Sequence, residues 1–340
     1  MLKYIIKRLA LSVLILIGVS MIIYCLIRCM PVSYIDKLVS QMSAGGATIP
    51  TETVESMKAL YGLEDNSFKG IVTGYLRWLG MYPDSQGILN GMLQGNFGTS
   101  FKYGIPVIEV IKKNMGLSFV IALIATIFEF MIAVPLGITA ATHQYSFRDY
   151  VVTILVMVGI SLPSFFFGQV LKNLLSMKLG WFPPSGLTDA TQSLTGMALL
   201  WDYFRHVFIP ILTVVILSIG GRMRMTRTNM LEVLNSDYIR TARAKGLKER
   251  IVIYKHAFRN TLIPLVTSLA GLLPSLFSGA IITEQVFDLP GIGNIAFQAM
   301  SDGDIPFIMG YNMFLALLSV IGVLLSDMMY AVVDPRVKLQ

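Results

Sequence analysis

Long uninterrupted apolar runs alternate with short polar intervals along this chain. Six runs, residues 9–27, 117–141, 150–177, 207–221, 262–282 and 307–333, approach the ~20 residues a helix needs to cross a bilayer. None alternates apolar with polar as a barrel wall does, so each is predicted to be a helix. The fourth is the shortest and needs the flank 201–206 to reach across. The pattern predicts an all-α, polytopic membrane protein with six transmembrane helices. Its expected organisation is an N-terminal end with the first span (1–29), an extracytoplasmic segment (30–116), and a core (117–340) carrying spans two to six with a basic loop at 222–260.

Composition agrees with that pattern. A chain of 340 residues with 54% hydrophobic residues, 14% charged residues and mean hydropathy +0.67 carries more apolar surface than a soluble fold of this size hides. The two cysteines, Cys25 and Cys29, lie four apart on one helical face, which argues against a disulfide framework. The twenty methionines, without His or Cys beside them, read as packing and not as a metal path. The N-terminal run resembles a signal peptide, but no small-residue cleavage pattern precedes Arg28 and Pro31. It is expected to be a retained helix.

Charge then orients the helices. Residues 222–260 hold ten Lys/Arg (Arg222, Arg224, Arg227, Arg240, Arg243, Lys245, Lys248, Arg250, Lys255, Arg259) against Glu232, Asp237 and Glu249, a local charge equal to the +7 of the whole chain. The basicity is therefore one element and not a diffuse nucleic-acid-binding surface. With Lys3, Lys7, Arg8, Arg148, Arg336 and Lys338 it gathers sixteen of the 27 cations on one side, which places both termini in the cytosol. Residues 284–306, with no Lys or Arg and four acids (Glu284, Asp288, Asp302, Asp304), read as an external loop. Within the basic loop, Asn235 and Ser236 are good N-caps, Asp237 suits a first turn, and Gly246 is a natural stop, so a short helix is predicted over 237–245. The small residues Thr241, Ala242 and Ala244 permit close approach to a partner's cleft. A second helix is predicted over 248–259, with Ile251, Tyr254 and Phe258 on one stripe. Positive-inside topology alone explains the charge, but not the capped helix with its small-residue face, which favours docking.

The external segment is too long for a simple connector. A short helix is predicted at 51–60, between Pro50 and Gly62, and Tyr75, Leu76, Trp78 and Leu79 form a patch that suits either a membrane interface or a small packed cap. Inside the spans, Glu129 either faces a pathway or pairs with a neighbouring helix; Lys172 and Asp327 sit near span ends, where they snorkel or cap. Pro163 in span three, and Pro264, Gly271, Pro274 and Gly279 in span five, interrupt helix regularity. Span five, rich in Ser, Gly and Thr, is the first candidate for lining a pathway, with plain helix packing as the alternative. Its candidate residues are Ser268, Gly271, Ser275 and Gly279, joined by Glu129 and Pro163.

The run Ser236-Asp237-Tyr238-Ile239-Arg240-Thr241-Ala242-Arg243-Ala244-Lys245-Gly246-Leu247, followed by His256-Ala257-Phe258-Arg259-Asn260 and Pro264, closely resembles the cytoplasmic loop of binding-protein-dependent ABC importer permeases. The resemblance is strongest to the first of the two permeases in the oligopeptide, dipeptide and nickel branch. It extends through Tyr61-Gly62-Leu63, Gly95-Asn96-Phe97-Gly98-Thr99-Ser100, Ser161-Leu162-Pro163-Ser164-Phe165, Leu179-Gly180-Trp181-Phe182-Pro183, Phe287-Asp288-Leu289-Pro290-Gly291-Ile292-Gly293 and Asp334-Pro335-Arg336. Across the wider superfamily the loop opens with Glu-Ala-Ala; Arg240-Thr241-Ala242 stands there instead, as in the peptide branch. The resemblance implies a type I ABC importer permease fold in the cytoplasmic membrane of a prokaryote. It implies a coupling helix in which Asp237, Tyr238, Arg240, Thr241, Ala242, Arg243, Ala244, Lys245, Gly246 and Leu247 dock an ATP-hydrolysing subunit. It also implies a homologous second permease in a heterodimer, two ATP-binding subunits, and an extracytoplasmic substrate-binding protein over the external loop, with Asp288, Pro290, Gly291 and Gly293 as candidate contacts. Peptides are the implied cargo, with nickel or a metal chelate as the alternative.

No G-x-x-x-x-G-K-[ST] loop occurs, so ATP and Mg are expected on partner subunits and no cofactor on this chain. Gly291-Ile292-Gly293-Asn294-Ile295-Ala296 mimics a dinucleotide fingerprint but follows no strand, and reads as turn chemistry. The three histidines, His143, His206 and His256, are dispersed, which removes the simplest zinc-protease reading. An intramembrane enzyme lacks its clustered His, Asp or Ser. A basic anchor for anionic lipid or nucleic acid predicts salt-sensitive binding without ATP coupling.

Overall fold

The computed structural model describes residues 2–28, 67–83, 87–189 and 193–333. The expected helix at 51–60, Tyr61-Gly62-Leu63, Cys29 and the Asp334-Pro335-Arg336 ending lie outside them. Among the described residues the chain is helical, with one isolated bridge between Thr99 and Pro106. It divides into two compact units, one from residues 1–115 with 295–320 and the other from 116–294 with 321–340.

Helix α1 (Leu2–Arg28) carries the first apolar run. Helix α2 (Phe68–Leu79) starts at Ser67, whose side chain accepts from the Gly70 amide, and stops at Gly80 in the left-handed region. After a single 3-10 turn (Met92–Gln94), α3 (Val107–Thr142) begins ten residues before the expected second span. Its entry is anchored by Asp304, fully buried, which accepts from the Ser100 hydroxyl and from the Phe101 and Lys102 amides. Beside it Lys102 Nζ donates to Asp302 at 2.8 Å and to Gln298 at 2.9 Å. The four external acids expected from sequence therefore do not form an exposed set.

The third span is not one straight helix. Helices α4 (Phe147–Ser161) and α5 (Ser164–Leu171, continued by wide π turns over Lys172–Lys178) meet at an angle of 102°. Pro163 lacks an amide hydrogen and pushes Leu162 into extended backbone (φ −88°, ψ 135°), which ends α4. Lys172 does not snorkel: its ammonium donates to the Val286 carbonyl at 3.0 Å.

The fourth run is the middle of a 39-residue helix, α6 (Gly196–Leu234), about 58 Å long at 1.5 Å per residue. The first part of the basic loop is thus a rigid continuation of a span. Helix α7 (Asp237–Ala244) follows, then a single turn (Glu249–Ile251), π turns (Val252–Phe258) and α8 (Arg259–Ala270). Span five breaks at Gly271 and Gly279 into α9 (Leu272–Ser278) and α10 (Ile281–Val286); α11 (Ile292–Asp302) and α12 (Ile305–Val333) complete the chain. Among the described residues four helical stretches are long and apolar enough to cross a membrane, five if the bent α4–α5 pair is one span, and α1 adds a shorter apolar run, Ala10–Leu26.

Candidate functional site in the basic loop

The base of the loop is a small hydrophobic core. Ile239 and Ala242 of α7 pack with Ile138 and Ala141 from the end of α3, Met230 near the end of α6, and Val252 and Ala257 of the π turns. Ile239 is fully buried, so its side chain contributes about 1.5–3 kcal/mol to fixing α7 on this base. We expect Ile239→Ala to cost about 2–5 kcal/mol and to render residues 235–258 selectively sensitive to limited proteolysis in the folded protein.

The opposite face of α7 is exposed. Tyr238, Arg240, Thr241, Arg243, Ala244, Lys245 and Leu247 are exposed. Ala242, expected on the docking face, is turned into the core instead, because it lies three residues after Ile239 on the same side of the helix. Ser236 is the N-cap by backbone conformation, but its hydroxyl donates to the Val233 carbonyl at 2.6 Å and leaves the helix amides uncapped. Gly246 closes the helix at φ +73°, its amide donating to the Arg243 carbonyl at 2.9 Å. A Cβ there would meet no described residue beyond its chain neighbours within 4 Å, so among the described residues glycine serves the turn and not a tight contact. Arg243 grips Glu249 with two hydrogen bonds, 2.7 and 3.2 Å. This guanidinium holds the Glu249 carboxyl below the usual carboxylate range, so the pair stays charged at neutral pH and is lost only as pH falls through that lowered value. Of the expected stripe of Ile251, Tyr254 and Phe258, only Phe258 packs against this core. Ile251 and Tyr254 are exposed while Val252 and Ala257 are buried, because i→i+5 turns rotate the faces away from the i, i+3, i+7 register.

Two of the ten cations are structural. Arg227 donates to the buried Asp149 through Nε and Nη2, at 3.0 and 2.9 Å, and Asp149 also accepts from the Tyr145 amide at 3.1 Å. This ties the start of α4 to α6. The sequence carries the cue in Ser146 three residues before Asp149, a capping pattern our sequence reading did not use. Arg222 donates to Glu129 at 3.0 Å and to Ser268 at 2.7 Å, with its guanidinium 4.3 Å from the Phe130 ring centre. Glu129 is thereby buried and paired, joining α3, α6 and α8. Of the other pathway candidates, Pro163, Gly271 and Ser275 are exposed, and Ser268 and Gly279 half-buried.

At the far end of span five, Glu284 is buried at 1% exposure. It accepts from the Ser118 hydroxyl at 2.7 Å and from the Asn294 and Ala280 amides at 2.9 and 3.2 Å. Gly279, Gly291 and Gly293 crowd this carboxylate so closely that a methyl on any of them would overlap it. The Gly291-x-Gly293 pair is thus a carboxylate cradle, and of the four expected binding-protein contacts only Asp288 and Pro290 are presented at the surface.

A family model described as the binding-protein-dependent transport system inner membrane component matches residues 133–339, and so covers the α7 platform and the Glu284 cradle alike. The chain belongs to this permease family. The oligopeptide transport system permease protein AppB of Bacillus subtilis (strain 168) is 35% identical over 99% of this chain and 100% of its own length. The dipeptide transport system permease protein DppB of Alkalihalophilus pseudofirmus (strain ATCC BAA-2126 / JCM 17055 / OF4) is 31% identical over 99% and 100%. A solved inward-facing structure of the MetNI methionine ABC transporter superposes with a TM-score of 0.52 at 18% identity, covering 67% of this chain and 97% of that one. The permease therefore has the type I ABC importer fold.

Proposed function

We propose that this permease imports oligopeptides or dipeptides as one of two homologous membrane subunits. Two ATP-binding subunits drive it and an extracytoplasmic binding protein delivers the cargo. The observation that carries the reading is α7, a short helix with an exposed basic face held rigidly on a buried base at the end of a 39-residue helix. Such a lever passes closure of a docked motor to the spans as a rigid-body change. Full-length similarity to permeases named for oligopeptides and dipeptides supports peptide over nickel. The α7 end is read as cytosolic, with both termini on that side. Between Leu265 and Thr283 the described residues of span five are half-buried or exposed within this chain, which supports contact of that part of the span with the second permease or with the pathway. ATP and Mg belong to the partner subunits in this reading, lipid surrounds the spans, and nucleic acid has no place.

Uptake of labelled di- to oligopeptides, against nickel, in cells lacking and regaining this chain tests the proposal. ATP-dependent peptide uptake restored by the chain is the expected result. Restoration of nickel uptake alone, or purification without any ATP-hydrolysing subunit, overturns it.

A further inference from the structure

Helix α2 packs against α1 through a polar and aromatic junction. The Tyr75 hydroxyl lies 2.7 Å from Ser20 Oγ and donates to the Ile17 carbonyl at 3.3 Å. Tyr24 packs edge-on against Tyr75, with ring centres 5.6 Å apart, and stacks on Trp78 at 6.4 Å. Ser20 and Tyr24 are buried at this junction, whereas their neighbours Ile17, Met21, Ile22 and Leu26 are at least half exposed, as lipid-facing side chains are. At 1.5 Å per residue, Ser20 lies about 12 Å inside the Arg28 end of α1, against a hydrocarbon half-thickness of about 15 Å. Tyr75 therefore reaches hydrocarbon depth, where a hydroxyl needs a partner and finds one in Ser20.

The sequence of α2 suits that position. Phe68, Val72, Tyr75 and Leu79 recur at helical spacing, and Lys69, Thr73 and Arg77 form a separate polar stripe. Phe68 is 82% exposed and Val72 half-buried, so the apolar side is not consumed by packing on α1. Tyr24, Trp78 and the two arginines Arg28 and Arg77 form the aromatic and cationic belt expected at a headgroup boundary; Arg28 lies 5.8 Å from the Tyr24 ring centre.

We propose that α2 is an interfacial helix immersed in the extracytoplasmic leaflet, where its apolar side contacts phospholipid acyl chains and it braces the outer end of α1. This rests on α1 crossing the bilayer with Arg28 at the extracytoplasmic face. It places residues 68–79 of the external segment in lipid.

Site-directed spin labelling of the full transporter in phospholipid nanodiscs tests the proposal, with Cys25→Ser and Cys29→Ser as background and single labels at Phe68→Cys, Val72→Cys, Lys69→Cys and Leu14→Cys. Labels at 68 and 72 should be more accessible to oxygen than to a water-soluble nickel chelate, and the label at 69 the reverse. Greater accessibility to the nickel chelate at 68 and 72, or exclusion of both agents as in a packed protein cap, overturns the proposal. The label at 14 separates the premise: if it too favours the nickel chelate, α1 does not cross, and the topology fails along with the leaflet assignment.

Discussion

Replacing Arg222 with methionine is expected to destabilise the permease by about 3–5 kcal/mol, because it strands the Glu129 carboxylate without its partner in a buried site. Glu129→Leu alone strands the arginine in the same way. The double variant Glu129→Leu/Arg222→Met removes both charges and should recover most of the loss, since a buried ion pair stabilises little relative to apolar side chains of similar volume. Ser268→Ala, which removes one neutral acceptor from the charged Arg222, should cost less, about 1.5–3 kcal/mol. Thermal or denaturant unfolding of the parent and the four variants in one detergent measures these differences. Equal stability of Arg222→Met and the parent would show that water or lipid reaches the site and that the α3–α6–α8 junction is held by something else.

This junction marks where sequence reasoning stopped. Glu129 was recognisable as costly inside a span, and pairing was one of two readings, but its partner lies 93 residues away among cations that looked like a topology signal. Charge counting treats Arg222 and Arg227 as equivalent to Arg240, whereas the folded chain spends the first two on internal pairs and leaves the third at the surface. Glu284 was missed for the same reason. In an interval without Lys or Arg it read as an external acid, and Ser118, the hydroxyl that satisfies it, comes from 166 residues earlier.

Local features were more legible. The apolar runs located the helices because lipid imposes continuous hydrophobicity with no competing tertiary pattern. Asp237 and Gly246 bounded α7 to within a residue, since caps act over one turn. Pro163 announced a break whose angle depends on packing. The π turns over Val252–Phe258 had no cue, and an apolar stripe counted at α-helical spacing therefore met the packed face only at Phe258. Ala242 shows the remaining ambiguity: a small residue allows close approach, but its identity does not say whether the approaching surface belongs to a partner or to the same chain.

Gly246→Val is expected to weaken ATP-driven uptake by about 5–30-fold while leaving membrane insertion unchanged. The residue sits at φ +73°, where a side chain pays about 1–2 kcal/mol and a β-branched one has no comfortable rotamer. That cost is relieved by unwinding the last turn of α7, which displaces Lys245 and Leu247 from the exposed face proposed to seat the ATP-binding subunit. Apart from its chain neighbours, no described residue lies within 4 Å of the missing Cβ, so backbone strain and contact with the docked subunit are the two sources of defect considered, and a second variant separates them. Asparagine tolerates the left-handed conformation and should hold the turn. If strain is the cause, Gly246→Asn retains most uptake and co-purifies with the ATP-binding subunit while Gly246→Val does not. If the subunit packs directly on this glycine, both fail. Normal uptake by Gly246→Val would mean that force enters the spans somewhere other than α7.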